Sequence, residues 1–416
     1  MLTNVRICGI ICEVIGGEKM TKKSYIRLAM LLSFAYFVSY LTRLNYGALI
    51  LEMEKTLHIS NTLLSMAVSG SAVTYGFGQI VSGVLGDKFS PKKLICGGLI
   101  TTAAMNFLIP VVAPNVYLMT AAWCVNGTAQ AMMWPPIVVI MTEALTAKEY
   151  NKSSILVSCG GYLGNIAVYL LAPLMIRIST WRTVFFICGG CAVLMAFTVR
   201  FLCPDVKSGT KAGKPKTKKA GIKGIVTSFL ALVMLGVAFE GALREGILTW
   251  MPTYISQTYD LGSEISILSG VILPVFSTAS VVLSMVIYEH FIKNPLHYAT
   301  LVLVIGAVFS GVLYVFTGKS AILSVASFAI ITAAMHGASL MLTTMIPPLY
   351  LKKGNVSTVS GVINAATYVG SALSGVGTAA LSSAFGWRAV TGVWVAFALI
   401  SAACCFIASK YDLSDI

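Results

Sequence analysis

The amino-acid sequence predicts an all-α membrane protein of twelve transmembrane helices, arranged as two six-helix halves. Three observations predict it. The composition is too poor in charge to cover a water-facing surface, apolar stretches of bilayer length follow one another, and a set of motifs recurs just over 200 residues later.

Of the 416 residues, 57% are hydrophobic and 11% charged, against about 25% charged in a soluble domain. A helix crosses a bilayer with about 20 mostly apolar residues, and lipid accepts only helices or closed barrels. The runs here are too long for barrel strands, so the spans are helices. In chain order they are predicted at 26–50, 61–86, 93–113, 116–144, 154–176 and 182–203 in the first half. The second half holds 225–252, 263–289, 297–316, 320–348, 356–381 and 388–409. Glycine and proline inside them fit close helix packing.

The formal net charge of +14 would suggest nucleic acid in a soluble protein, but here the positions of the charges exclude that partner. With both termini on the cytoplasmic side, the inner segments hold 22 of the 29 Lys and Arg, and the outer loops only Lys55, Arg177, Arg182, Lys319 and Arg388. That bias is the positive-inside rule. It predicts an even number of spans with both ends inside, in a bacterial inner membrane; lipid is the surrounding partner, and a monomer is expected. Residues 1–25 form a cytoplasmic segment. Within it, Gly16-Gly17-Glu18-Lys19-Met20 is what a translated ribosome-binding site encodes, so Met20 is the expected start. Residues 204–224 carry seven lysines and one acid and read as a basic, solvated linker between a bundle at 26–203 and a second at 225–409. Residues 410–416 are a tail.

The ten cysteines mostly lie inside apolar helices as small hydrophobes. Cys188 and Cys191 have CxxC spacing without a second ligand pair, so neither a metal nor a cofactor is expected. No phosphate-binding loop, metal-ligand cluster or nucleophile triad is present, and the sequence is not that of an enzyme.

The halves repeat each other. Trp181-Arg182 opens the sixth span and Trp387-Arg388 the twelfth; Tyr162-Leu163-Gly164-Asn165 matches Tyr368-Val369-Gly370-Ser371; Pro135-Pro136 is echoed by Pro347-Pro348, and Arg43 by Arg244. A parallel repeat of six-helix halves resembles the major facilitator superfamily. The loop after the second span, Gly83-Val-Leu-Gly-Asp87-Lys88-Phe-Ser-Pro-Lys92-Lys93-Leu94, resembles that superfamily's signature. There Gly83 allows close helix approach, Asp87 accepts hydrogen bonds from helix ends of the other half, and Lys92 and Lys93 meet the inner leaflet.

Charge inside the hydrocarbon costs at least about 2.5–3.5 kcal/mol. Arg43 and Arg244 lie roughly 17 and 20 residues into their spans, well away from a headgroup at 1.5 Å per residue. They are therefore expected to face a cavity and to hold an anion whose planar geometry suits the guanidinium fork, a phosphate or a carboxylate. For Arg244 a structural ion pair with Glu240, four residues earlier on the same face, is the competing reading. Glu240 either releases Arg244 to substrate or carries a proton. His336 either hydrogen-bonds substrate, carries a proton, or is a buried histidine satisfied by its neighbours.

The stretch Tyr36-Phe-Val-Ser-Tyr40-Leu-Thr-Arg43-Leu-Asn45-Tyr46 resembles the first helix of the organophosphate:phosphate antiporter family, which includes glycerol-3-phosphate and hexose-6-phosphate transporters. Ala72-Val-Thr-Tyr75-Gly-Phe-Gly78, Trp134-Pro135-Pro136 and Leu243-Arg244-Glu-Gly246-Ile-Leu-Thr-Trp250-Met-Pro252-Thr-Tyr254 extend the resemblance along nearly the whole chain after Met20. The resemblance implies that Arg43 and Arg244 clasp phosphate and that Tyr36, Tyr40 and Tyr75 line the cavity, with Trp134, Tyr368 and His336 as further substrate-binding candidates. It implies exchange of an organic phosphate for inorganic phosphate by alternating access. At two positions the chain departs from the glycerol-phosphate transporter: Gln79 replaces a lysine and Tyr162 a histidine. The altered site then takes a less charged anion, a different ester, or a substrate with another counter-ion. The alternatives to phosphate exchange are a proton-coupled carboxylate transporter and a membrane sensor of sugar phosphate.

Overall fold

A computed structural model of the chain describes residues 22–206, 225, 227–260 and 272–413. The expected start at Met20, most of the basic linker (207–224) and the opening of the eighth span (263–271) lie outside the described residues. Everything described is helix or short connection. The helices are α1 Lys22–Leu57, α2 Asn61–Lys88, α3 Pro91–Val112, α4 Val116–Gln130, α5 Trp134–Ala144, α6 Ala147–Ile178 and α7 Trp181–Leu202. They continue as α8 Ser228–Tyr259, α9 Ile272–His290, α10 Pro295–Phe316, α11 Ala321–Leu340 and α12 Val356–Ala408.

Each of the twelve expected spans is mainly helical where it is described. Two spans are broken, and prolines explain both. Pro135 and Pro136 lack the N–H groups that would continue the i to i−4 ladder from α4, so the fourth span stops at Gln130 and restarts as α5 with the prolines in its first turn. Pro347 and Pro348 act likewise on the tenth span. It leaves α11 through a π turn, Met341–Met345, and a 3-10 turn, Pro347–Tyr350. Spans eleven and twelve, together labelled α12, are two helices that meet at a kink at Gly386, whose φ of 75° lies in the left-handed region that glycine tolerates. Seven helical segments among the described residues are long and apolar enough to cross a membrane. Of the other five spans, the fourth is broken between α4 and α5, the seventh carries the three charges Glu240, Arg244 and Glu245 on α8, and the opening of the eighth lies outside the described residues.

Helix starts follow sequence signals. Thr146 and Glu149 form a reciprocal capping box at α6. Asn294, with Pro295 behind it, accepts the Leu296 and His297 N–H groups at α10.

The described residues divide into two compact units. One comprises 22–206 with 350–365, the other 225–349 with 366–413. In the first, α1 packs along α6 and α7, α2 along α4, and α3 along α7. Its aromatic core places Tyr46 5.0 Å from Trp123 and 6.0 Å from Phe185 between ring centroids. In this unit the Asp87 carboxylate takes the backbone N–H groups of Ser357 at 3.0 Å and Thr358 at 2.8 Å. It supplies from outside the negative cap that the start of α12 needs. The same crossing is tight: a Cβ on Gly83 would lie 2.8 Å from the Ser357 carbonyl, and one on Gly361 would collide with the Gln79 carbonyl. Lys92 does not simply reach for the leaflet, because its Nζ donates to the Cys203 carbonyl at 2.7 Å, closing the end of α7.

In the second unit, α11 packs against α8, α9 and α10, and Gly241 lies against the Thr367 carbonyl of α12. The sequence repeat reappears here as equivalent contacts. Gly164 lies on the Phe37 carbonyl, where a Cβ would come within 2.5 Å, and Gly370 lies on the Ala238 carbonyl. Ala238 follows Phe37 by the 201 residues that separate Arg244 from Arg43, and Gly370 follows Gly164 by 206.

Candidate functional site

In the first unit α1 presents Tyr36, Tyr40 and Arg43 at helical spacing on one face. Tyr36 meets Tyr40 edge to face at 5.1 Å between centroids and Trp134 at 5.2 Å. Gly161 of α6 makes room for both tyrosines, since a Cβ there would lie 2.9 Å from the Tyr36 ring and 3.0 Å from that of Tyr40. The Arg43 guanidinium stacks on Tyr75 of α2, 4.0 Å from the ring centroid, with Tyr40 at 5.6 Å. Arg43 is half-buried, Tyr75 and Trp134 are buried, and the Trp134 indole N–H has no partner among the described residues. Five of the expected residues therefore form one cluster around a cation.

Gln79 lies one turn beyond Tyr75. It is fully buried, and neither its Oε1 nor its Nε2 has a partner among the described residues. An unsatisfied buried amide costs about 1–3 kcal/mol. Tyr162 is half-buried on α6, beside Gly161.

In the second unit Arg244 donates from Nη1 to the Ser339 hydroxyl at 3.0 Å and pairs with Glu240 Oε1 at 3.6 Å. The Arg244 side chain is 18% exposed and that of Glu240 is 0%. Both Glu240 oxygens lack hydrogen-bond partners among the described residues, so this carboxylate is balanced by the guanidinium across an ion-pair distance without a hydrogen bond. A charge so placed depends on its partner. The ion pair expected of Glu240 is present, and its looseness leaves Arg244 geometrically able to exchange it for another anion. Glu245, on another face, accepts from the Thr249 hydroxyl at 3.3 Å.

His336 is buried, with Nδ1 2.9 Å from the Thr332 carbonyl and 3.3 Å from the Ser277 hydroxyl. These contacts match the reading of a histidine satisfied by its neighbours, with the proton on Nδ1 when it donates to the carbonyl. Tyr368 is half-buried on α12. The other three histidines, His58, His290 and His297, are exposed. Among the described residues no cluster of His, Cys, Asp or Glu has metal-binding geometry.

Sequence reasoning missed Ser339, Gly161 and a layer of buried amides beneath Arg43. Asn106, Asn126 and Gln130 sit at apolar depth on α3 and α4, and the signal that marks them is a carboxamide inside an apolar helix, with 126 and 130 one turn apart.

Against known proteins, the model of the Major Facilitator Superfamily matches residues 32–375. The glycerol-3-phosphate transporter of Bacillus subtilis is 25% identical over 283 residues, covering 61% of this chain and 63% of that protein. A "Probable hexose phosphate transport protein" of Chlamydia muridarum is 26% identical over 187 residues, 44% of this chain and 41% of that one. The chain thus spans under two thirds of the length of these relatives. Among solved structures, a single-residue variant of the Escherichia coli fucose:proton symporter superposes with a TM-score of 0.75 at 13% identity, over 94% of this chain and 99% of that one. At that identity the likeness concerns the fold.

Proposed function

The chain belongs to the Major Facilitator Superfamily, and from that premise we propose that it is a secondary active transporter of a small organic anion. Its cargo is an organophosphate, a glycerol phosphate or sugar phosphate, exchanged for inorganic phosphate by alternating access. The observation that carries this reading is Arg43, a half-buried guanidinium on an apolar helix, stacked on Tyr75 at 4.0 Å. Stacking holds the plane of the fork, and a planar fork binds phosphate oxygens two at a time. Arg244, its repeat-equivalent, contributes the second guanidinium. An arriving dianion competes with Glu240 for Arg244, and the cost of leaving Glu240 charged and alone in the interior couples cargo binding to a change at that carboxyl. The relatives named for glycerol-3-phosphate and hexose phosphate transport support the cargo class.

On this reading the protein works as a monomer in a bacterial inner membrane with both termini cytoplasmic. Bundles at 26–203 and 225–409 are joined by the basic linker 204–224. Tyr36, Tyr40, Trp134, Tyr162, His336, Tyr368 and Gln79 complete the substrate-binding set. Glu240 also favours a second reading, a carboxylate carrier coupled to protons, because a buried carboxyl tied to one guanidinium is suited to gain a proton when that guanidinium is taken.

Counterflow separates the two. Purified protein in liposomes loaded with inorganic phosphate is expected to take up labelled glycerol 3-phosphate or glucose 6-phosphate against its gradient, without an imposed proton gradient. Uptake of organic carboxylates alone, driven only by protons, overturns phosphate exchange in favour of the second reading. Saturable binding of sugar phosphate with no uptake identifies a sensor.

A further inference from the structure

Beneath Arg43 the first unit buries a connected set of polar side chains from three helices. Asn106 of α3 and Asn126 of α4 both donate from Nδ2 to one acceptor, the backbone carbonyl of Thr42, at 3.3 and 3.2 Å. Gln130, one turn after Asn126, donates from Nε2 to the Thr42 hydroxyl at 2.9 Å and to that of Thr102 at 3.3 Å. Asn45 donates to Asn106 Oδ1 at 2.7 Å, and Asn106 donates again to the Thr102 carbonyl at 2.9 Å. Thr42, Asn45, Asn106 and Asn126 are 0% exposed, Thr102 1% and Gln130 2%.

Stability alone does not explain this set. A buried amide is unfavourable until it is satisfied, and interhelical hydrogen bonds inside a membrane contribute little on average. What the set supplies is direction. The Thr42 carbonyl lies in the same rigid peptide plane as the N–H and Cα of Arg43. Two amides from two different helices converge on that carbonyl, and a third holds the side chain of the same residue. The base of the Arg43 side chain is thereby fixed in rotation about the α1 axis and in height along it.

We propose that Asn106, Asn126 and Gln130 are positioning residues for Arg43, setting the register of α1 so that the guanidinium stays stacked on Tyr75 with its fork presented. The inference deepens the assignment of Arg43 as an anion ligand and rests on it, but its geometric part is measurable without any ligand.

The test uses the full-length protein and three variants. Asn126→Leu and Gln130→Met keep volume and remove the donor, while Asn126→His keeps an N–H at the branch point. The first measurement is the rate at which phenylglyoxal modifies Arg43, read by peptide mass spectrometry relative to the exposed Arg27. The second is the affinity for inorganic phosphate and glycerol 3-phosphate, and the third is Tm. Asn126→Leu and Gln130→Met are expected to raise the Arg43 rate several-fold relative to Arg27 and to weaken phosphate binding about tenfold or more, as a displaced binding group does. Asn126→His is expected to return both toward wild type. An Arg43 rate unchanged in whichever of the two donor-deleting variants folds overturns the proposal, and a lowered Tm with an unchanged rate assigns these amides to packing alone. If the rate moves while even the wild type binds neither phosphate nor glycerol 3-phosphate, positioning stands and the proposed cargo falls.

Discussion

The guanidinium of Arg43 meets a ring face at 4.0 Å, an arrangement in which the cation is attracted to the electron-rich face and the two planes align. A contact of this kind is worth about 0.5–2 kcal/mol, so Tyr75→Leu, which covers similar area without the ring, is predicted to weaken phosphate binding about 2- to 30-fold. Tyr75→Phe keeps the face and is predicted to bind as wild type. Isothermal titration of the purified variants decides it, and equal losses in Phe and Leu would assign the effect to the lost hydroxyl instead. At this scale Arg43, Arg244 and Glu240 were legible in the sequence because a charge is an anomaly in an apolar helix, whereas the tyrosines and Trp134 were reached only through the family resemblance. Ser339 was not: a serine is common in such helices, and its part in the site follows only from the 3.0 Å contact with Arg244. The amides under Arg43 were equally anomalous but sit on α3 and α4, where no charged neighbour marks their shared face.

Among the elements, α12 begins where Asp87 caps it from outside. Two charge-assisted hydrogen bonds to the N–H groups of Ser357 and Thr358 are each worth about 1.5–3 kcal/mol, a large part of the stability of one helix terminus. Asp87→Ala is predicted to speed amide hydrogen exchange at residues 357 and 358 by orders of magnitude while leaving the first turn of α6, capped by Thr146, unchanged; Asp87→Asn falls between. Unaltered exchange at 357 and 358 would show that the terminus is held by other groups. The contact of Asp87 with a helix end was readable from the loop motif, whereas the breaks after Gln130 and Leu340 fall inside spans expected to be unbroken, 116–144 and 320–348, because the paired prolines were read only as a sign of the repeat. The separation of spans eleven and twelve was readable, since Gly386 and Trp387 mark a junction in sequence and the helix kinks there. One glycine with non-helical backbone, at φ 75° and ψ 173°, makes the kink between them. The engagement of Lys92 by the Cys203 carbonyl was also hidden, because a lysine beside a membrane satisfies the leaflet and a helix end equally well on composition.

The molecule as a whole is built on a repeat that the contacts reproduce: the pair Phe37 and Gly164 in one unit corresponds to Ala238 and Gly370 in the other. At these glycines any Cβ would collide with a carbonyl, so the contacts hold the helix register in which Arg43 and Arg244 are equivalents. The surroundings of the two arginines differ. Arg43 has tyrosines and an amide layer, whereas Arg244 has Glu240 and Ser339. The repeat fixes where each guanidinium stands in its own unit, and the local side chains determine how each is held. If both hold one anion, loss of either fork should be equally damaging despite these different surroundings.

The most direct test is therefore a ligand thermal shift on purified wild type, Arg43→Lys and Arg244→Lys with inorganic phosphate, glycerol 3-phosphate, glucose 6-phosphate and gluconate. Wild type is expected to show a raised Tm with the phosphate compounds. Neither lysine variant is expected to shift, and each should melt near the unliganded wild type, because an ammonium does not replace a bidentate fork. A phosphate-induced shift retained in either variant, or a wild type stabilised by gluconate and by none of the phosphates, would contradict this.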